Sequence, residues 1–172
     1  MSKPRLLTLS FLILGAALSR LIPHPWNFSP LGAIALFGGA YFIDKRWAFG
    51  MPLLAAFLSD IFLGFYSHFL LVYVGYLMVA GVGMLVVREK TVLRILGGSL
   101  LGSVVFFLWT NFISWMADPI YMKDLGGLMA SYTAGIPFFQ QTLSGDLLFA
   151  GILFGSFALA EKFIPKVSEA KI

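Results

Sequence analysis

A succession of apolar runs, each closed by a short cluster of charge or proline, constrains this chain more than anything else in it. A helix rising about 1.5 Å per residue needs roughly 20 apolar residues to cross a hydrocarbon core of about 30 Å. The runs cover residues 6–20, 31–43, 47–65, 69–87, 92–116 and 138–164, which is most of the 172 residues. With 59% hydrophobic and 12% charged residues, and a mean hydropathy of +0.90, no ordinary soluble domain is compatible with the composition. The runs are too long and too uniform for the ten-residue alternation of an outer-membrane barrel. The expectation is one all-α domain over 1–172, an integral membrane bundle of about six transmembrane helices.

Charge placement supports that count. With both termini cytoplasmic, Lys3, Arg5, Lys45, Arg46, Arg88, Lys90, Arg94, Lys162, Lys166 and Lys171 fall on the inner side, and only Arg20 and Lys123 outside. The second run is short for a span, covering about 20 Å, and reads as a thinned or partly re-entrant helix. Gly15-Ala16-Ala17 resembles a signal-peptide cleavage region, but the first run is read as a retained span.

Between the first two runs lies Arg20-Leu-Ile-Pro-His-Pro-Trp-Asn-Phe-Ser-Pro30. Three prolines remove donors and push Ile22, His24 and Ser29 into extended conformations, so this stretch is not helical. Unpaired backbone cannot lie against lipid, which puts the loop at a surface or over a protein-lined cavity. It reads as a lid over a binding site. Residues 117–135, with Asp118-Pro119 and Gly126-Gly127, read as the longest polar interval.

Ionisable side chains inside apolar runs cost of order 2.5–3.5 kcal/mol and normally face a cavity or a partner. Asp60 and Asp146 are such residues, near the outer ends of the third and sixth runs, and are expected to point into one outward pocket. Their alternatives are helix capping, or pairing with Arg20 or Lys123. Trp26, Phe28, Tyr66, Trp115 and other rings gather on the same face, beyond what an aromatic belt requires, interleaved with Asn27, Asn111, Gln140 and Gln141. Flat rings with amide donors suit a planar metabolite in a largely apolar pocket. The candidate substrate-binding set is Trp26, Asn27, Phe28, Asp60, Tyr66, Asn111, Trp115, Gln141 and Asp146.

Other chemistries find less support. Cysteine is absent, so thiolate catalysis and cysteine-based metal sites are excluded. His24 and His68 lack metal-ligand spacing and read as loop residues, with divalent-metal handling or a membrane enzyme as the alternative. No nucleotide-binding loop, hydrolase motif or basic nucleic-acid patch occurs, and no cofactor is called for. The expectation is a protein that is not an enzyme.

Small residues recur at spacing four, in Gly15/Ser19, Ala35/Gly39, Gly98/Gly102 and Gly151/Gly155, where they let helix backbones approach within the bundle or dock a partner helix.

The motifs Arg20-Leu-Ile-Pro-His-Pro-x-Asn-Phe-Ser-Pro, Leu58-Ser-Asp-Ile-Phe-Leu-Gly, Thr110-Asn-Phe, Ile136-Pro-Phe-Phe and Leu143-x-Gly-Asp146 resemble a set of small bacterial membrane proteins of transport type. That set is similar to the substrate-binding S components of energy-coupling-factor (ECF) vitamin transporters, and the resemblance covers nearly the whole chain. It implies a six-helix bundle in the bacterial cytoplasmic membrane that captures a vitamin or related micronutrient at its outer face. It also implies docking on a transmembrane coupling subunit driven by ATPases supplied by other chains. In that family an Ala-x-x-x-Ala pattern on the first helix makes the docking contact, and Gly15/Ser19 is the nearest match here. Some S-like proteins act alone; a solitary type for cobalamin relies on a cysteine that this chain lacks. A structural or assembly subunit is the remaining alternative.

Overall fold

The computed structural model describes residues 1–168, and these form six helices and no strand. Helix α1 (Lys3–Leu18) starts from Ser2, whose hydroxyl accepts the Arg5 N–H, and passes into a 3-10 turn at Ser19–Leu21. Then come α2 (Leu31–Tyr41), α3 (Lys45–Leu63), α4 (Phe69–Val86), α5 (Val92–Ala117) and α6 (Leu125–Phe163). Asp44, Thr91 and Asp124 cap α3, α5 and α6 through their side chains, satisfying N–H groups that a helix start leaves orphaned. Helix α3 stops at Gly64, whose φ of 89° continues no helix.

Five helices are long and apolar enough to cross a membrane, and at most 39% of the most apolar window of any of them is buried inside the protein. Leu7, Phe11, Phe62 and Leu93 stand exposed on their outer surfaces, where lipid replaces the missing protein contacts. The chain is a multi-pass membrane bundle.

Helix α2 differs from the others. It is 11 residues long, about 16 Å, and nine of its residues are buried. It touches every other helix and occupies the centre of the bundle instead of forming a lipid-facing span over 31–43. Its tightest partner is α4. A Cβ at Gly39 would strike the Ala80 carbonyl, and one at Gly83 would strike the Leu36 carbonyl, so each helix supplies a glycine where the other's backbone passes. Beside this seam, Phe37, Tyr41, Phe154 and Phe157 pack their rings at centroid distances of 4.6–5.9 Å.

Helix α6 begins thirteen residues earlier than the expected start at 138. The interval read as polar shrinks to 118–124 because Asp124 caps the new start, accepting the Gly127 N–H at 2.7 Å, and the first turns pack on α5. Ser131 donates to the Asn111 carbonyl at 2.8 Å and Tyr132 to the Leu108 carbonyl at 3.1 Å. At 39 residues α6 is about 58 Å long, near twice the hydrocarbon thickness.

The ends of the bundle are chemically distinct. At one, Arg5 pairs with Glu161 at 2.5 Å, Ser2 donates to the Lys166 carbonyl and Lys90 lies 5.3 Å over the Tyr41 ring. At the other lie Arg20, Asp60, His68, Asp118 and Lys123. The start of α1 and the end of α6 share the first, as the alternation of six segments requires. Lys171, counted above with the inner charges, lies outside the described residues.

Candidate functional site

The first polar centre is built on Asp60, in the last turn of α3, with only 1% of its surface exposed. Arg20 reaches it from the 3-10 turn after α1, donating to one carboxylate oxygen at 2.8 Å, and the Tyr73 hydroxyl of α4 donates to the other at 2.8 Å. Arg20 also donates to Ser59, whose hydroxyl lies 2.9 Å from the Ala55 and Ala56 carbonyls one turn back. Three elements are thereby tied by one buried ion pair. Two charges taken out of water together are tolerated only with such a full complement of hydrogen bonds.

The second centre is Asp146, in the middle of α6 and 4% exposed. The Ser103 hydroxyl of α5 donates to it at 2.6 Å, and the Ala33 N–H of α2 donates to it as well. Pro30, which precedes α2, has no side chain able to cap the helix. Asp146 takes that place from another helix, setting a carboxylate at the positive end of the α2 dipole. Gly32 is what admits it, since a Cβ there would collide with the carboxylate.

Among the described residues no hydrogen bond joins the two carboxylates and they share no hydrogen-bond partner; each has its own set of donors. Both carboxylates act on Tyr76 of α4, 8% exposed, its ring stacked on Phe106 at 4.9 Å. Arg20, Asp60, Tyr66 and Asp146 all act electrostatically on its phenol, which makes no hydrogen bond among the described residues. Tyr66, in the turn between α3 and α4, has its own phenol pushed up to about 12, by partial burial first and by the Asp60 carboxylate second, with Arg20 opposing. It is a neutral donor at any physiological pH.

The loop over 22–30 is ordered by its own geometry. The Phe28 N–H closes a turn on the Pro25 carbonyl at 3.1 Å, with Asn27 in the left-handed region at φ 61°, a conformation asparagine tolerates better than most residues. Trp26 projects from this turn 85% exposed, and Asn27 is also exposed. Phe28 turns inward against Phe149 at 5.9 Å. So the loop's backbone explains Asn27, and of the three expected ring and amide contacts only Phe28 faces the bundle.

The remaining candidates have local duties. Asn111 donates to the Phe107 carbonyl of its own helix, and its amide fills the space left by Gly135 on α6. Trp115 donates to the Met122 carbonyl at 2.9 Å, holding the 118–124 turn, and Gln141 is exposed on α6. His24 contacts the adjacent Pro25 carbonyl and His68 pairs with Asp118 at 3.4 Å, so the two histidines are not brought together. Among the described residues no three His, Asp or Glu side chains form a metal-holding group.

Arg20, Ser59, Tyr73, Tyr76 and Ser103 belong to the polar centres and are absent from the expected set. Tyr73 and Tyr76, three apart on one face of an otherwise apolar run, were the available signal.

No curated protein and no solved structure matches the chain. Over residues 1–167 it matches a family of unknown function (DUF6580), and the chain belongs to that family.

Proposed function

We propose that this protein is a membrane transport component that captures a small vitamin-like micronutrient from outside. In this reading the membrane is the bacterial cytoplasmic one, and the end carrying Arg20 and Asp60 faces outward. What supports it is Tyr76: a phenol on a ring only 8% exposed, with no hydrogen-bond partner among the described residues, in the field of the Arg20–Asp60 ion pair and of a second buried carboxylate. A phenol hydroxyl without a partner and flanked by charges is a seat for a ligand's polar atom. Ionisable groups within spans mark such sites by default. The stacked Phe106 and Tyr76 pair gives the site an aromatic wall, and the Arg20 guanidinium keeps N–H donors beyond those that Asp60 and Ser59 occupy. Asp146 acts at a distance, by holding the start of α2 beneath the site.

For energy coupling the chain depends on other subunits. Gly15 on α1 is exposed, with open space where a Cβ would stand, so a partner helix approaches closely there. Ser19 turns its hydroxyl back onto the Ala16 carbonyl and presents its apolar side.

The test is native mass spectrometry of the detergent-purified chain with a pool of vitamins and precursors, repeated on Tyr76→Phe. The substitution removes a hydroxyl that makes no hydrogen bond among the described residues, so the unfolding midpoint is expected to hold. Retention of the ligand is expected to fall by about 0.5–1.5 kcal/mol, the net value of one hydrogen bond. A pool from which nothing is retained, or an adduct indifferent to both Tyr76→Phe and Asp60→Asn, overturns the reading.

A further inference from the structure

The end of the bundle opposite Arg20 carries a second, unrelated feature. A cavity of about 330 Å³ opens between the end of α2 and the α4–α5 turn, and its charged lining among the described residues is Arg5, Lys45, Arg88 and Lys90, with no carboxylate. Of the acidic residues described at this end, Asp44 caps α3, Glu89 pairs with Arg94 at 3.3 Å and Glu161 pairs with Arg5. Lys45 and Arg88 are exposed and make no ion pair among the described residues.

Tyr41 and Lys90 also line a neighbouring groove of about 450 Å³, so the two spaces adjoin. This groove is apolar and runs between the first half of α5, through Ile95 and Leu96, and the second half of α6, up to Leu147. Gly151 and Gly155 form part of its floor, with nothing within 4 Å of where a Cβ would stand. From Glu161 at its mouth to Leu147 at its far end is about 21 Å of helix, more than half of a 30 Å hydrocarbon core. The depth is that of one leaflet.

We infer that this composite space is a binding site for an anionic phospholipid, its phosphate among Lys45, Arg88 and Lys90 and one acyl chain along Gly151 and Gly155. Charge complementarity selects the headgroup, since a zwitterionic lipid gains less from a cluster of cations than an anionic one does. The groove's apolar walls and bilayer depth select a chain-bearing ligand over a free anion. Glycines without a Cβ contact keep the groove open, a use of small residues different from the α2–α4 seam, where they bring helices together.

Full-length protein in detergent, offered equimolar phosphatidylglycerol and phosphatidylcholine, is expected in native mass spectra to retain the former at least fivefold more. Lys45→Gln with Arg88→Gln should abolish the preference while leaving total lipid uptake similar. Gly151→Leu, whose Cβ meets no neighbour and whose longer side chain enters the groove, should lower phosphatidylglycerol retention without lowering the unfolding midpoint. Equal retention of the two lipids, or a preference that survives the double substitution, overturns the site. Displacement of the lipid by millimolar inorganic phosphate, with Gly151→Leu silent, assigns the cations to a free anion and overturns the lipid.

Discussion

Asp60 has both carboxylate oxygens engaged inside the protein, one by Arg20 and one by Tyr73, and almost no contact with solvent. Removing Asp60 leaves the Arg20 guanidinium, only 12% exposed, without its counter-charge. Asp60→Ala is expected to destabilise the bundle by about 3–5 kcal/mol in a denaturant titration, whereas Arg20→Met combined with Asp60→Leu should recover most of that loss. A double substitution as unstable as the single one would mean that the pair contributes more than mutual neutralisation. The conspicuous half of this centre was legible in the sequence, because a carboxylate in an apolar run demands a partner. The other half was fainter: Tyr73 and Tyr76 recur three apart on one helix face, but only the fold sets a carboxylate 2.8 Å from the Tyr73 hydroxyl. Asn27 shows the reverse case, an amide that looked like a ligand contact and serves a left-handed turn.

Helices α2 and α4 interlock through glycines, and the seam is specific to position. Gly39→Ala drives a methyl into the Ala80 carbonyl and is expected to cost about 1–3 kcal/mol, the range for overpacking a core. Gly81, two positions before Gly83 on the same helix, meets nothing within 4 Å, and Gly81→Ala should be neutral or stabilising by up to about 1 kcal/mol through helix propensity. Unfolding midpoints in mixed-detergent titrations compare the two directly; equal effects would remove backbone contact as the cause. Spacing by four singled out Gly39 with Ala35 but could not say which glycines meet backbone and which meet open space. Gly151 and Gly155 have the same spacing and line a groove. The early start of α6 escaped notice for a related reason: Gly126-Gly127 and Tyr132-Thr133 are poor helix formers, and packing on α5 overrides them.

Across the whole molecule, the polar ends define a topology that labelling can read. The chain has no cysteine, so single cysteines introduced at exposed positions report sidedness without background. In intact cells a membrane-impermeant maleimide is expected to modify cysteine at Trp26 or Met129 and to spare cysteine at Arg88 or Lys45 until the membrane is opened. The opposite pattern would invert the orientation and with it the outward capture site. By itself, the sequence determined that the chain is an all-helical membrane bundle, where its runs lie, and that its loop charges are lopsided, because hydropathy and charge act through local composition that any fold of the chain must satisfy. Only the tertiary structure decided that α2 is a buried half-length helix, that Asp146 caps it from α6 while Asp60 pairs with Arg20, and that both carboxylates act on a Tyr76 phenol that makes no hydrogen bond among the described residues. Those facts depend on which side chains meet across the bundle, residues tens of positions apart, and contact at that range leaves no trace in local spacing.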